Sequence, residues 1–281
     1  MVDGSPGLGA STSAVGPCRV LLLAALSEEV RPFLRLSRAR RRRGLPWPAW
    51  EFALGAVRGL LAVSGMGQKA AREAAARLIA QFRPQLLVSL GFGGALSPDL
   101  HHGDLVLGEF FGRYDPVTQG LDPVTPAPAP PRPLPELLRS LTAAGLAAFA
   151  GNLITTPWII RKGRDGGGLI GLPLPVLDLE SAVLAELAVS AGLPFLSLRA
   201  ITDAAAEEIP DFLAPEGEPD ALGVLDALGW LAADPRRLKD LIHLWRCSRL
   251  AANRLAGALM VLLPLFEEWG EAGLCACPPG R

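Results

Sequence analysis

Carboxylates are the groups in this sequence best placed for chemistry. Three histidines (His101, His102, His243) and four cysteines (Cys18, Cys247, Cys275, Cys277) in 281 residues are too few and too scattered for a zinc module or a disulfide framework. No metal is therefore expected, and Cys275 and Cys277 read as free thiols in a fraying tail. The histidines also fail to assemble with a serine into a nucleophilic set, so acid chemistry falls to aspartate and glutamate. Glu29 follows the first apolar run, Val20 to Leu26. Glu180 lies in Asp178-Leu179-Glu180-Ser181 ahead of an Ala/Val/Leu helix, and Asp203 ends the apolar run Phe195 to Ile201. Glu180 and Asp203 have no adjacent cation in sequence, and partial burial of such a carboxyl favours its protonated form near neutral pH. Each also has a structural reading, helix capping for Glu180 and turn capping for Asp203.

Two glycine turns accompany these acids, Ser64-Gly65-Met66-Gly67 and Gly91-Phe92-Gly93-Gly94. Residues without a Cβ let backbone amides come close to a sugar or phosphate, and Gly67 opens a helix, where an anion is favoured.

The elements needed to position these groups follow from patterning. Unbroken apolar runs of strand length, at 20–26, 86–90, 105–110 and 195–201, read as buried strands. A hairpin is expected at 50–63, a further strand at 152–156, and helices at 27–36, 69–81, 134–150 and 181–191. This alternation defines an α/β fold. One three-layer domain with a mixed, mostly parallel sheet and helices on both faces is expected over residues 18–215, preceded by a disordered leader at 1–17. Pro116 to Pro135 contains eight prolines and reads as a long loop. A helical extension is expected at 216–268 and a tail at 269–281. In open α/β sheets the ligand sits at the carboxyl ends of the strands, which is where Glu29, both glycine turns and Asp203 fall.

The first apolar run lacks signal-peptide flanks, and the late run Leu255 to Phe266 is too short for a bilayer and contains Pro264. A soluble, reduced, cytoplasmic protein is expected. With 27 Lys+Arg against 28 Asp+Glu the net charge is −1, which argues against nucleic acid as a partner. Cations nevertheless gather at Arg31–Arg43, read as a solvated helix end and loop, and between Asp234 and Arg254. The second group has an apolar face, Leu238, Leu241, Ile242 and Trp245, suited to packing on the domain or to peripheral contact with an anionic membrane.

The motifs ALSEEV at 25–30, SGMGQKAA at 64–71, GFGGAL at 91–96 with HGDLV at 102–106, DLES at 178–181 and RAITDAA at 199–205 resemble, in order and spacing, the purine nucleoside phosphorylase and nucleosidase superfamily. Together they span about residues 19–210. Methylthioadenosine/S-adenosylhomocysteine nucleosidases and hopanoid-associated nucleoside phosphorylases are the nearest groups, and the stretch from Gly223 to Arg246 looks more like the second. The resemblance implies cleavage of the N-glycosidic bond of a purine nucleoside by a cofactor-free homo-oligomer. It implies that Asp203 protonates the leaving base, Glu180 accepts hydrogen bonds from the ribose hydroxyls, and Glu29 orients an attacking water. Gly65, Met66, Gly67, Gly91, Phe92 and Gly93 would line the substrate, as would Leu179, in place of the family's usual methionine. Trp158 stands where base contacts are expected and reads equally as a stacking or a core residue. A phosphorylase would take phosphate as co-substrate and needs cations around it. The arginine that bacterial purine phosphorylases carry before the glycine loop is replaced here by Val88-Ser89-Leu90, which favours water. The alternatives are phosphorolysis and nucleoside binding without turnover.

Overall fold

The computed structural model describes residues 20–169, 171–208 and 237–267. The expected leader at 1–17, the tail from 269 and stretch 216–236 of the helical extension lie outside the described residues. Among the described residues ten strands form one sheet. In chain order the elements are β1 (Val20–Ala24), α1 (Ser27–Leu36), β2 (Arg40–Arg42), β3 (Ala49–Leu54), β4 (Val57–Val63), α2 (Gln68–Phe82), β5 (Leu86–Ala95), β6 (Leu105–Asp115) and β7 (Gly120–Pro123). They continue with α3 (Leu134–Ala143), β8 (Ala148–Thr155), α4 (Lys162–Asp165), β9 (Pro175–Asp178), α5 (Ser181–Ser190), β10 (Phe195–Asp203) and α6 (Arg237–Leu262).

The sheet is mixed. β1 lies between β4 and β5 in parallel register, with the β3–β4 hairpin and β2 extending that edge. Beyond β5 the sheet curls: β5 pairs with both β10 and β9, and β6 and β8 complete the ring between them. Successive residues of a strand face opposite sides, and here both sides are covered. Val20, Leu22 and Ala24 of β1 join the core beneath α1, α3 and α6, whereas Leu21 and Leu23 join the core beneath α2 and α5. This is the three-layer α/β architecture expected from the alternation.

Four local differences from the sequence reading have clear causes. Gly91–Gly94 is not a loop but the second half of β5, because β10 pairs along its whole length. The helix expected at 134–150 stops at Ala143, with Gly145 at φ 76° turning the chain, and β8 begins at Ala148. The arginine run includes an edge strand, β2, in which Arg42 bonds Glu51 at 2.8 Å and Arg41 lies 5.2 Å from the centre of the Trp50 ring. Finally, α6 is part of the domain's own layer. Ala251, Leu255, Leu259 and Leu262 recur at helical spacing and are buried against α1, α3 and β10. The segment Leu241–Phe266 is long and apolar enough to cross a membrane, longer than the sequence reading allowed, and half of its most apolar window is buried inside this fold.

Candidate active site

Glu29 owes its position to α1. It lies on the same helical face as Val30 and Phe33, so it points inward with them. Its Oε2 accepts hydrogen bonds from the amides of Ala25 (3.0 Å) and Leu26 (2.8 Å), and Oε1 accepts one from Phe92 N–H (3.0 Å). Burial raises its pKa above the usual glutamate range despite these three amides and the nearby Arg199 charge. One lone pair of Oε1 is left for a further donor.

An arginine that the sequence reading passed over organises the next two acids. Arg199 is fully buried in β10; its Nε donates to Asp178 Oδ2 at 2.8 Å and its Nη2 to Ser89 Oγ at 2.9 Å. Glu180 Oε2 lies 3.9 Å from Nη2, and Glu180 Oε1 accepts the Gly67 amide at 2.8 Å. Burial pushes Asp178 upward, but the Arg199 charge and hydrogen bonds from Ser181 and Thr155 outweigh it and hold the carboxyl below its usual range. For Glu180 burial wins over Arg199, and with Asp178 adding repulsion its pKa rises to about 7. The signal for Arg199 was a lone cation inside an otherwise apolar, fully buried strand, which must find carboxylates.

Asp203, at the end of β10, faces a second partner absent from the sequence reading. Lys162 Nζ lies 2.5 Å from Asp203 Oδ2 and donates to the carbonyls of Asp203 (3.2 Å) and Ala204 (2.8 Å). Thr202 Oγ1 donates to Asp203 Oδ1 at 2.8 Å. Lys162 follows Ile159-Ile160 with Arg161 and Arg164 close by, a pattern that looks like ordinary surface charge.

The three acids open on one cavity of about 480 Å³, a size suited to a small organic ligand. Met66, Phe92, Gly93 and Leu179, four of the residues read from the sequence as substrate-lining, line this cavity. Gly65, Gly67 and Gly91 are not among its lining residues. Gly67 instead holds Glu180, and Gly91 leaves room for side chains: a Cβ there would stand 2.8 Å from Glu29 Oε1 and 3.1 Å from Arg199 Nη1. Trp158 does not line the cavity either; it packs on the core of Tyr114, Ile154, Ile160 and Leu169. Beside Phe92, a second aromatic residue, Trp245 of α6, lines the cavity with Leu241 and Leu244, so Leu241 and Trp245 of the apolar face considered for a membrane cover the cavity. The histidines are less scattered than their sequence positions suggest. His102 and His243 both bond Glu207, at 2.6 and 3.1 Å, outside the cavity.

The fold agrees with comparisons to known proteins. Residues 19–228 match the family model described as Phosphorylase superfamily, and the chain belongs to that family, a class of nucleosidases and phosphorylases. It is 29% identical over 204 residues to the 5′-methylthioadenosine/S-adenosylhomocysteine nucleosidase of Geobacillus thermodenitrificans, covering 68% of this chain and 86% of that one. Among solved structures it is similar to the Helicobacter pylori 5′-methylthioadenosine/S-adenosyl homocysteine nucleosidase, with a TM-score of 0.65 at 18% identity over 88% of this chain and 99% of that one. It is also similar to the futalosine hydrolase of the same species, with a TM-score of 0.63 at 16% identity over 86% and 97%.

Proposed function

We propose that the protein hydrolyses the N-glycosidic bond of a purine nucleoside of the methylthioadenosine/S-adenosylhomocysteine type. The observation that carries water over phosphate is the charge around the cavity. Among the described residues lining it, Lys162 is the one cation, and its contacts are taken up by Asp203 and Ala204. A phosphate dianion entering there would face Glu28, Glu29, Asp178, Glu180 and Asp203 instead.

In this reading the leaving base takes the electron pair of the C1′–N bond and a proton from the Asp203–Lys162 pair, in which Nζ lies 2.5 Å from Oδ2. Glu180 accepts hydrogen bonds from the ribose hydroxyls, which favours the positive charge that develops on the sugar. Water bonds the open side of Glu29 Oε1, attacks C1′ and leaves its proton on that carboxylate. The proton balance is restored when Glu29 gives up its proton and the Asp203–Lys162 pair regains one from solvent. The apolar surface from Met66, Leu241, Leu244 and Trp245 favours a substrate whose sugar carries an apolar substituent.

The test is base release from methylthioadenosine, S-adenosylhomocysteine, adenosine, inosine and futalosine, with and without phosphate. Release independent of phosphate is expected; a phosphate requirement with formation of ribose 1-phosphate overturns the hydrolytic reading. Asp203→Asn should lower turnover by about 10²–10⁴-fold while nucleoside binding persists. Unchanged turnover in that variant excludes Asp203 as the acid, and wild-type protein that binds nucleosides and cleaves none is a binding protein.

A further inference from the structure

Outside the cavity, three chain segments bring a set of metal-type donors to one point. His102 lies in the turn before β6, Glu207 follows Asp203 by four residues, and His243 and Cys247 stand one turn apart on α6. One ring nitrogen of His102, one of His243 and the Cys247 sulfur all lie within 4.8 Å of one another. His102 Nε2 is 2.6 Å from Glu207 Oε2, His243 Nε2 is 3.1 Å from Glu207 Oε1, and Cys247 Sγ is 3.6 Å from His243 Nε2. In a tetrahedral zinc site, with bonds of about 2.0–2.3 Å, neighbouring donors stand roughly 3.3–3.8 Å apart; the Cys247–His243 separation falls in that range, and the two shorter Glu207 contacts have to widen as an ion enters. The i, i+4 spacing puts His243 and Cys247 on one helical face, as a chelate requires.

The chemistry of the set is selective. Two imidazoles, a thiol and a carboxylate suit a borderline-soft divalent ion better than calcium or magnesium, which take oxygen ligands. Cys247 is 7% exposed and His243 is more than half exposed, so the cluster has a buried sulfur and an open side by which an ion can enter.

We propose that His102, His243, Cys247 and Glu207 form a binding site for zinc(II) or a similar divalent transition metal, which fastens α6 to the segment following Asp203. Binding releases the Cys247 thiol proton, and each imidazole carries its proton on Nδ1 so that Nε2 is free for the metal. The ion would act on the cavity's covering. Leu241, Leu244 and Trp245 line the cavity from the same helix, and Glu207 also accepts the amide of Ala204, whose carbonyl holds Lys162. The site is therefore structural, and independent of which nucleoside is cleaved.

The test uses the full chain with Cys18→Ser, Cys275→Ser and Cys277→Ser, so that Cys247 is the only thiol. After chelator treatment under reducing conditions it is titrated with cobalt(II) alone and then with zinc(II) alone, and binding is followed by absorption and calorimetry. One cobalt ion per chain is expected, with tetrahedral visible bands and a thiolate-to-cobalt charge-transfer band that zinc abolishes. Zinc affinity should be micromolar or tighter, and should fall at least about tenfold in both Cys247→Ser and His243→Ala, each checked for native circular dichroism. Absence of stoichiometric binding, absence of the charge-transfer band, or undiminished affinity in either natively folded variant overturns the proposal. Should one variant fail to fold, His102→Gln takes its place under the same criterion. None of these readouts depends on catalytic activity.

Discussion

Arg199 lets several carboxylates share one small volume. It bonds Asp178 directly, lies 3.9 Å from Glu180 and lowers the cost of burying Glu29, yet burial still lifts Glu180 to about 7. Two opposite pH effects follow. If ionised Glu180 holds the ribose, kcat/KM should rise as pH climbs through about 7, and Glu180→Gln should flatten that limb in a pH–rate profile. Stability should run the other way. A carboxyl whose folded pKa lies above its ordinary 4.5 contributes stability that is full below 4.5 and is lost as pH rises through about 7. Urea unfolding should show Glu180→Gln losing less stability than wild type across this window, by up to about 3 kcal/mol. The acids themselves were legible in the sequence because each closes or opens an apolar run. Lys162 was not, because a lysine beside arginines looks like surface until the chain folds back on itself; Trp245 was legible as part of an apolar packing face but not as a wall of the cavity.

At the scale of elements, the second half of β5 decides the geometry. Gly91 stands opposite Arg199 in the ladder and Gly94 opposite Asp203; a Cβ on Gly94 would approach Asp203 Oδ2 to 2.6 Å. The glycines were expected to admit ligand to the backbone; Gly91 and Gly94 also admit the site's own side chains to it. Their reading as a loop failed because glycine's low strand preference is a local property, whereas a full-length pairing with β10 is tertiary. Gly91→Ala should cost roughly 1–3 kcal/mol of stability by overpacking. Displacing Glu29 or Arg199 should lower kcat/KM by about 10²-fold, so steady-state kinetics beside urea midpoints separate the two effects. The strand starts and the α/β alternation were readable from apolar runs, but the closure of β5 with β9 and β10 was not, since β9 is a four-residue strand with no periodicity of its own.

For the whole molecule, α6 acts as a structural layer and as a wall of the cavity. Leu255 is wholly buried, so Leu255→Ala should lower the unfolding free energy by roughly 2–5 kcal/mol, measured by urea denaturation. Ile242→Ala, at a site 42% exposed, should change it by less than about 1 kcal/mol. The same arrangement has a consequence for biosynthesis. Residues 237–266 leave the ribosome after Glu29, Glu180 and Asp203 have all been made. Until they arrive, α1 packs on the sheet alone, through contacts such as Phe33 on Phe52, and lacks its α6 neighbour, while one wall of the cavity is missing. The nascent chain thus exposes apolar surface that chaperones or aggregation can capture, and its candidate active-site cavity is completed late in translation.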